Sequence, residues 1–114
     1  MKQKEITING RQFPVAFTMK TMIGFEGIAN KEFFGETFEK LSEKIALIMS
    51  AILAADENAD ITADELMNAD NFETVKDVIE AYKVVMDLAA EFFKKPEVEP
   101  KPEPAEEKGD DSKN

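Results

Sequence analysis

The stretch IALIMSAILAA, residues 45–55, carries one hydroxyl and no charge. It is too short to cross a bilayer, which takes about 20 apolar residues. In water it must lie inside something. The preceding residues continue the same helical period, and together they predict one helix over 37–55. Phe38, Leu41, Ile45, Ile48, Met49 and Ile52 fall on one stripe, Leu53 broadens it, and Leu47 lies on the opposite side. A helix apolar almost all round is a central helix, covered on several sides. The rest of the chain has to supply the cover.

Part of that cover is β-structure. In ITINGRQFPVAFT, residues 6–18, two strand-like runs flank Asn9 and Gly10, the pair best suited to the positive φ values of a type I′ turn. The segment 4–18 therefore predicts a hairpin, with Ile6, Ile8, Phe13, Val15 and Phe17 on one face. Pro14 lacks an N–H and should point away from the ladder, which makes its strand an edge. A lone hairpin is marginal in water, so its apolar face should close over the helices as a lid. Pro14 blunts its outer edge against further strands.

Three more helices are predicted. Thr18 is a good N-cap for a short helix over about 19–29, weakened by Gly24 and Gly27, which either permit close packing or end the helix early. Residues 31–36 form a connector holding Phe33 and Phe34. Thr62 and Glu65 form a capping box for a helix over 63–69. The last helix spans 72–95, with Val75, Val78, Ile79, Tyr82, Val85, Met86, Ala89 and Phe93 on its core face, Leu88 and Phe92 at the margin, and Val84 facing away. Lys94 and Lys95 suit the negative end of its dipole. Pro96 stops it. The remaining residues have no apolar period, three further prolines, and seven acids against three lysines. That composition predicts a disordered, solvating tail. The fold class is thus mainly α with an N-terminal β-hairpin (α+β). Residues 1–95 form a single globular domain and 96–114 a tail. About 95 residues suffice for one modest core without staples.

Composition removes most chemistry. With no cysteine there is no disulfide, thiolate zinc site or cysteine nucleophile. With no histidine, the usual general base and the commonest metal ligand are gone. No phosphate-cradling glycine motif occurs. The 24 acids always supply carboxylate pairs, so a pair carries little information. Nothing suggests a cofactor or an enzyme. A net charge of −10 repels nucleic acid and anionic membrane, so neither is an expected partner. MKQKEITI has no apolar core of a secretory signal, which with the missing cysteines predicts a soluble cytoplasmic protein.

Two familiar patterns fail on inspection. Asp56, Asn58, Asp60, Thr62 and Asp64 stand at positions 1, 3, 5, 7 and 9 of a calcium-type loop. Such a loop needs a glycine at position 6 and a glutamate at position 12, and here these are Ile61 and Met67. An acyl carrier needs its serine in an Asp-Ser-Leu context. Ser42, Ser50 and Ser112 are not in one.

The order of elements carries a further signal. A strand ending in ING, a return strand F-P-V-x-F-T, and a helix with M-x-x-F-E open the chain. ALIMSAILAA, DITADELMNAD and VIEAYKVVMDLAAEFF follow. Over residues 6–95 this layout resembles the phage tail-assembly chaperones. The resemblance implies a non-enzymatic role in the cytoplasm of an infected or lysogenic bacterial host. Its implied partners are the long helical tape-measure protein and the tail-tube subunits recruited around it, with the chaperone absent from the finished virion. It also admits self-association and a longer frameshifted product, with codons for Phe92, Phe93, Lys94 and Lys95 as one place for a slip.

A chaperone of a helical client needs an apolar surface and a solubilising charge. Neighbouring aromatics cannot both face one core, so the pairs Phe33 and Phe34, and Phe92 and Phe93, expect some exposure. Met22, Phe33, Phe34 and Phe92 are the candidate partner-binding residues, the methionine for its adaptability. The competing reading is an acidic regulatory module that mimics nucleic acid and blocks a basic partner, with steep salt dependence.

Overall fold

The computed structural model describes residues 2–34 and 39–94. Expectations for Phe38, for the start of the helix at residue 37, for Lys95 and for the 96–114 tail fall outside the described residues. The elements are β1 (Gln3–Ile8), β2 (Arg11–Ala16), α1 (Met19–Ala29), α2 (Leu41–Ala55), α3 (Ala63–Met67) and α4 (Phe72–Phe93). The architecture is α+β, a mainly helical body with an N-terminal antiparallel hairpin.

The hairpin turns where Asn9 and Gly10 adopt φ of 54° and 78°, the left-handed pair that a type I′ turn requires. Ile8 faces Arg11, Ile6 faces Phe13 and Glu5 faces Pro14. Hydrogen-bonded and open pairs alternate from the turn. Pro14 therefore falls at an open pair, where its missing N–H would face outward. Ile6, Ile8, Phe13, Val15 and Phe17 are all buried. Their sheet face packs on α2 and α4, with β2 over α2 and β1 along α4. At one end of β1 the Asn9 N–H donates to the Asp77 carboxylate (3.0 Å), and the buried Thr74 hydroxyl donates to the Asn9 side-chain oxygen (2.5 Å). At the other end Lys2 pairs with Glu91 at 3.3 Å. Arg11 ties the turn to the α2–α3 region by donating to the Glu65 carboxylate (2.9 Å) and to the Asp60 carbonyl.

The central helix is α2. Glu43 through Ile52 are buried apart from half-buried Lys44, Leu47 on the far side of the stripe included. Periodicity places residues 39 and 40 in the helix too, but both are outside it. Lys40 has extended backbone (φ −82°, ψ 145°), and the Glu43 carboxylate accepts its N–H, which starts the helix at Leu41. Leu41, expected on the core stripe, is 44% exposed because it occupies this first turn. Glu43 is buried and also pairs with Lys31 at 2.5 Å. The bond from Lys31 holds its carboxyl below the ordinary range, against the opposing effect of burial and with help from the Lys40 N–H.

α1 settles the question of its glycines. Thr18 caps it, and Thr21 returns a hydroxyl to the Thr18 N–H (3.0 Å) while donating to the Ala16 carbonyl (2.9 Å). Neither glycine ends the helix, which runs to Asn30 in the left-handed conformation. Gly24 is a packing residue: a Cβ there would lie 2.9 Å from the Ser50 Cβ of α2. At Gly27 a Cβ would meet nothing within 4 Å.

α3 is shorter than predicted and α4 is rotated. The Thr62 hydroxyl accepts from the Glu65 N–H (3.1 Å), but the Glu65 carboxylate goes to Arg11 instead of completing a capping box. In α4 the buried residues are Thr74, Val78, Ala81, Val85, Leu88 and Ala89. Ile79 and Phe93, expected in the core, are 39% and 49% exposed, and Leu88, expected at the margin, is buried. The hairpin is the reason. It covers the flank of α4 bearing Thr74 and Asp77, and so turns the buried face toward itself. Tyr82, half-buried on the α2 side, lies under the Lys44 ammonium at 4.9 Å, and burial raises the pKa of its phenol.

Candidate functional site

Where α1, the connector after it and the end of α4 meet, six phenylalanines form a continuous network. Phe25 is fully buried and touches Phe33 (ring centroids 5.9 Å apart). Phe17, the last inward residue of the hairpin, contacts Phe33, Phe92 and Phe93 at 5.8, 5.4 and 5.7 Å. Phe34 closes the surface side, 5.3 Å from Phe33 and 6.0 Å from Phe93. Most of these pairs meet edge to face, the arrangement that aromatic quadrupoles favour.

Local chemistry sets each ring. Left-handed Asn30 turns the chain out of α1. The Glu26 carboxylate then accepts the Phe33 N–H (2.9 Å), pinning the connector back across its own helix. That bond places Phe33 inward (8% exposed) and sends Phe34 outward (64%). At the end of α4, Phe92 and Phe93 sit side by side around the helix. Neither can bury fully, and they are 44% and 49% exposed.

The result is an open groove of about 410 Å³ lined by Met19, Met22, Ile23, Glu26, Phe33, Phe34, Phe92 and Phe93. All four candidates from the sequence, Met22, Phe33, Phe34 and Phe92, line it. They play two parts. Met22 and Phe33 are buried and form the floor, whereas Phe34 and Phe92 stand at the surface. Sequence reasoning missed Met19 and Ile23, which are 65% and 61% exposed, and placed Phe93 in the core. The i, i+3 and i+4 spacing of Met19, Met22 and Ile23 is the signal that would have joined them on one side of α1. Phe92 also walls a neighbouring hollow of about 300 Å³ with Lys2, Phe17, Thr18, Leu88 and Glu91.

The groove offers apolar contact and little else. Its one carboxylate, Glu26, is committed to a backbone N–H. The acidic loop after α2 is likewise used locally: Asp56 accepts the Asn58 N–H (3.0 Å), Thr62 caps α3 and Ile61 is buried. Among the described residues no group of three or more acidic side chains is placed to hold a metal ion. Among them, too, no helix is long and apolar enough to cross a membrane. Comparison of the chain with protein-family models, with curated proteins and with solved structures gave no significant match.

Proposed function

We propose that this protein is a non-enzymatic assembly chaperone that shields an apolar face of a helical client in the groove between α1 and α4. In the terms of the layout described above, it is a phage tail-assembly chaperone. The client would be the tape-measure protein, the tail-tube subunits the recruited partner, and the host cytoplasm the place of action. One observation carries the reading: exposed Met19, Ile23, Phe34, Phe92 and Phe93 gather on one side of a highly charged protein. Contiguous apolar surface of this kind marks an interaction site far more often than scattered exposure does.

Magnitudes fit a client that is held and later released. An aromatic side chain offers roughly 150–250 Å², so Phe34, Phe92 and Phe93 leave on the order of 300 Å² of ring surface in water. Covering it contributes about 7 kcal/mol at about 25 cal/mol per Å². Association itself costs about 4 kcal/mol or more. The rings alone therefore give weak binding, and useful affinity requires a helix long enough to reach the aliphatic wall of α1 as well. The charge of −10 then keeps the complex in solution.

The test is co-expression with the long helical open reading frame that should lie downstream of this gene, comparing the unaltered chain with Phe34→Asp plus Phe92→Asp. Co-purification lost in the variant, with its helical circular dichroism intact and little sensitivity to salt, is the expected result. Retained binding would sink the groove assignment. Binding that collapses with salt but ignores these substitutions would favour an acidic mimic of nucleic acid.

A further inference from the structure

The groove ends where the described chain ends. Phe93 lines it and Lys94 follows with extended backbone, φ −68° and ψ 131°. The nine residues 96–104 read PEVEPKPEP. Counting proline with the apolar residues reveals an order that the acidic composition hides. Positions 96, 98, 100, 102 and 104 are Pro, Val, Pro, Pro and Pro, and those between are charged. Such a segment favours polyproline II, at about 3.1 Å per residue and three residues per turn. The alternation puts at least one pyrrolidine or isopropyl group in every turn. Proline-rich segments dock in aromatic-lined grooves because little chain entropy remains to be lost.

We propose that residues 96–104 occupy the aromatic groove of their own chain as a weak, displaceable cover. This rests on the groove being the client surface, and it adds the regulation of that surface. Reach is sufficient: nine residues span about 28 Å, against about 16 Å for the whole of α1. Charge does not oppose it: Lys94 follows the groove residue Phe93 directly, and the groove's one carboxylate, Glu26, is engaged by the Phe33 N–H. A tether this short holds its ligand at an effective concentration of about 1 mM. An intrinsic affinity near 1 mM then leaves the groove covered about half the time and weakens a competing helix about twofold, or about fivefold at several-fold higher effective concentration.

The absence of cysteine makes the test direct. A nitroxide on Ala105→Cys in the full-length chain should broaden the methyl resonances of Met19, Met22 and Ile23 and spare those of Leu41 and Met67. Adding Val98→Ser and Pro100→Ser should abolish the difference and tighten a synthetic leucine-rich amphipathic helix about two- to fivefold. Uniform broadening, or broadening that survives the two serines, overturns the proposal. So does broadening that appears only between spin-labelled and isotope-enriched copies in a mixture, which means a second chain is the occupant. A groove that shows the selective broadening but binds the synthetic helix in neither form defeats the client reading and leaves the cover standing.

Discussion

Gly24 and Gly27 sit one turn apart on α1, and the same substitution should have opposite effects at them. Alanine exceeds glycine in helix propensity by about 0.8–1 kcal/mol, because glycine has more backbone freedom to lose. At Gly27 the new methyl meets nothing within 4 Å, so Gly27→Ala should stabilise by about that amount. At Gly24 the methyl would lie 2.9 Å from the Ser50 Cβ, nearly 1 Å inside an ordinary carbon contact of about 3.5–4.0 Å. The Ser50 Cβ is fixed to its backbone and has no rotamer to retreat into, so α1 must lift from α2. Overpacking of this kind costs about 1–3 kcal/mol, and the propensity gain offsets only part of it. The two variants should therefore differ by about 1–3 kcal/mol, read from urea midpoints at constant slope. In a Ser50→Gly background, which itself costs helix propensity in α2, Gly24→Ala should no longer destabilise, while Gly27→Ala should simply add. If both alanines stabilise equally, α1 does not pack on α2 at this distance. The wall of the groove formed by Met19, Met22 and Ile23 would then be misplaced with it.

Three other outcomes are expected. Phe34→Asp should leave the unfolding free energy from urea titration within about 0.5 kcal/mol of the unaltered chain, as surface changes do, whereas Phe33→Asp, which buries an unpaired charge, should cost more than about 3 kcal/mol; similar losses for both would place both rings in the core. Glu43 has a lowered folded-state pKa, so the stability it supplies is complete above its ordinary value of 4.5. That stability is lost as pH falls through the lower folded-state value. Thermal midpoints from pH 7 downward should fall more steeply in the unaltered chain than in Glu43→Gln, and parallel curves would contradict the assignment. Thr74→Val deletes the hydroxyl that joins α4 to the turn residue Asn9 and should cost about 1–3 kcal/mol by denaturant unfolding.

The elements were legible because their signals are local. Asn9 and Gly10 specify their turn, Thr18 and Thr62 their caps, and residues 45–55 their burial, all within a few positions. What depends on distant neighbours was not legible. The buried face of α4 is set by a hairpin some 65 residues away, through Thr74 and Asn9, so periodicity alone assigned Ile79 and Phe93 to the wrong environment. The start of α2 depends on the contacts Glu43 makes with Lys31 and Lys40, and no apolar pattern reports those. The groove was half legible for the same reason. Paired aromatics mark surplus apolar surface, but only the fold shows that Phe34 of the connector and Phe93 of α4 stand 6.0 Å apart.

The rings of the groove also have an order in time. Met19, Phe33 and Phe34 leave the ribosome early and Phe92 and Phe93 last, about 60 residues later, which at roughly 5–20 residues per second is several seconds. β1 finds its lasting neighbour only then, since it lies along α4 with Lys2 against Glu91. The first strand and the last helix thus close the body together, and the same event completes the aromatic surface. A nascent chain that has not finished α4 cannot present that surface whole.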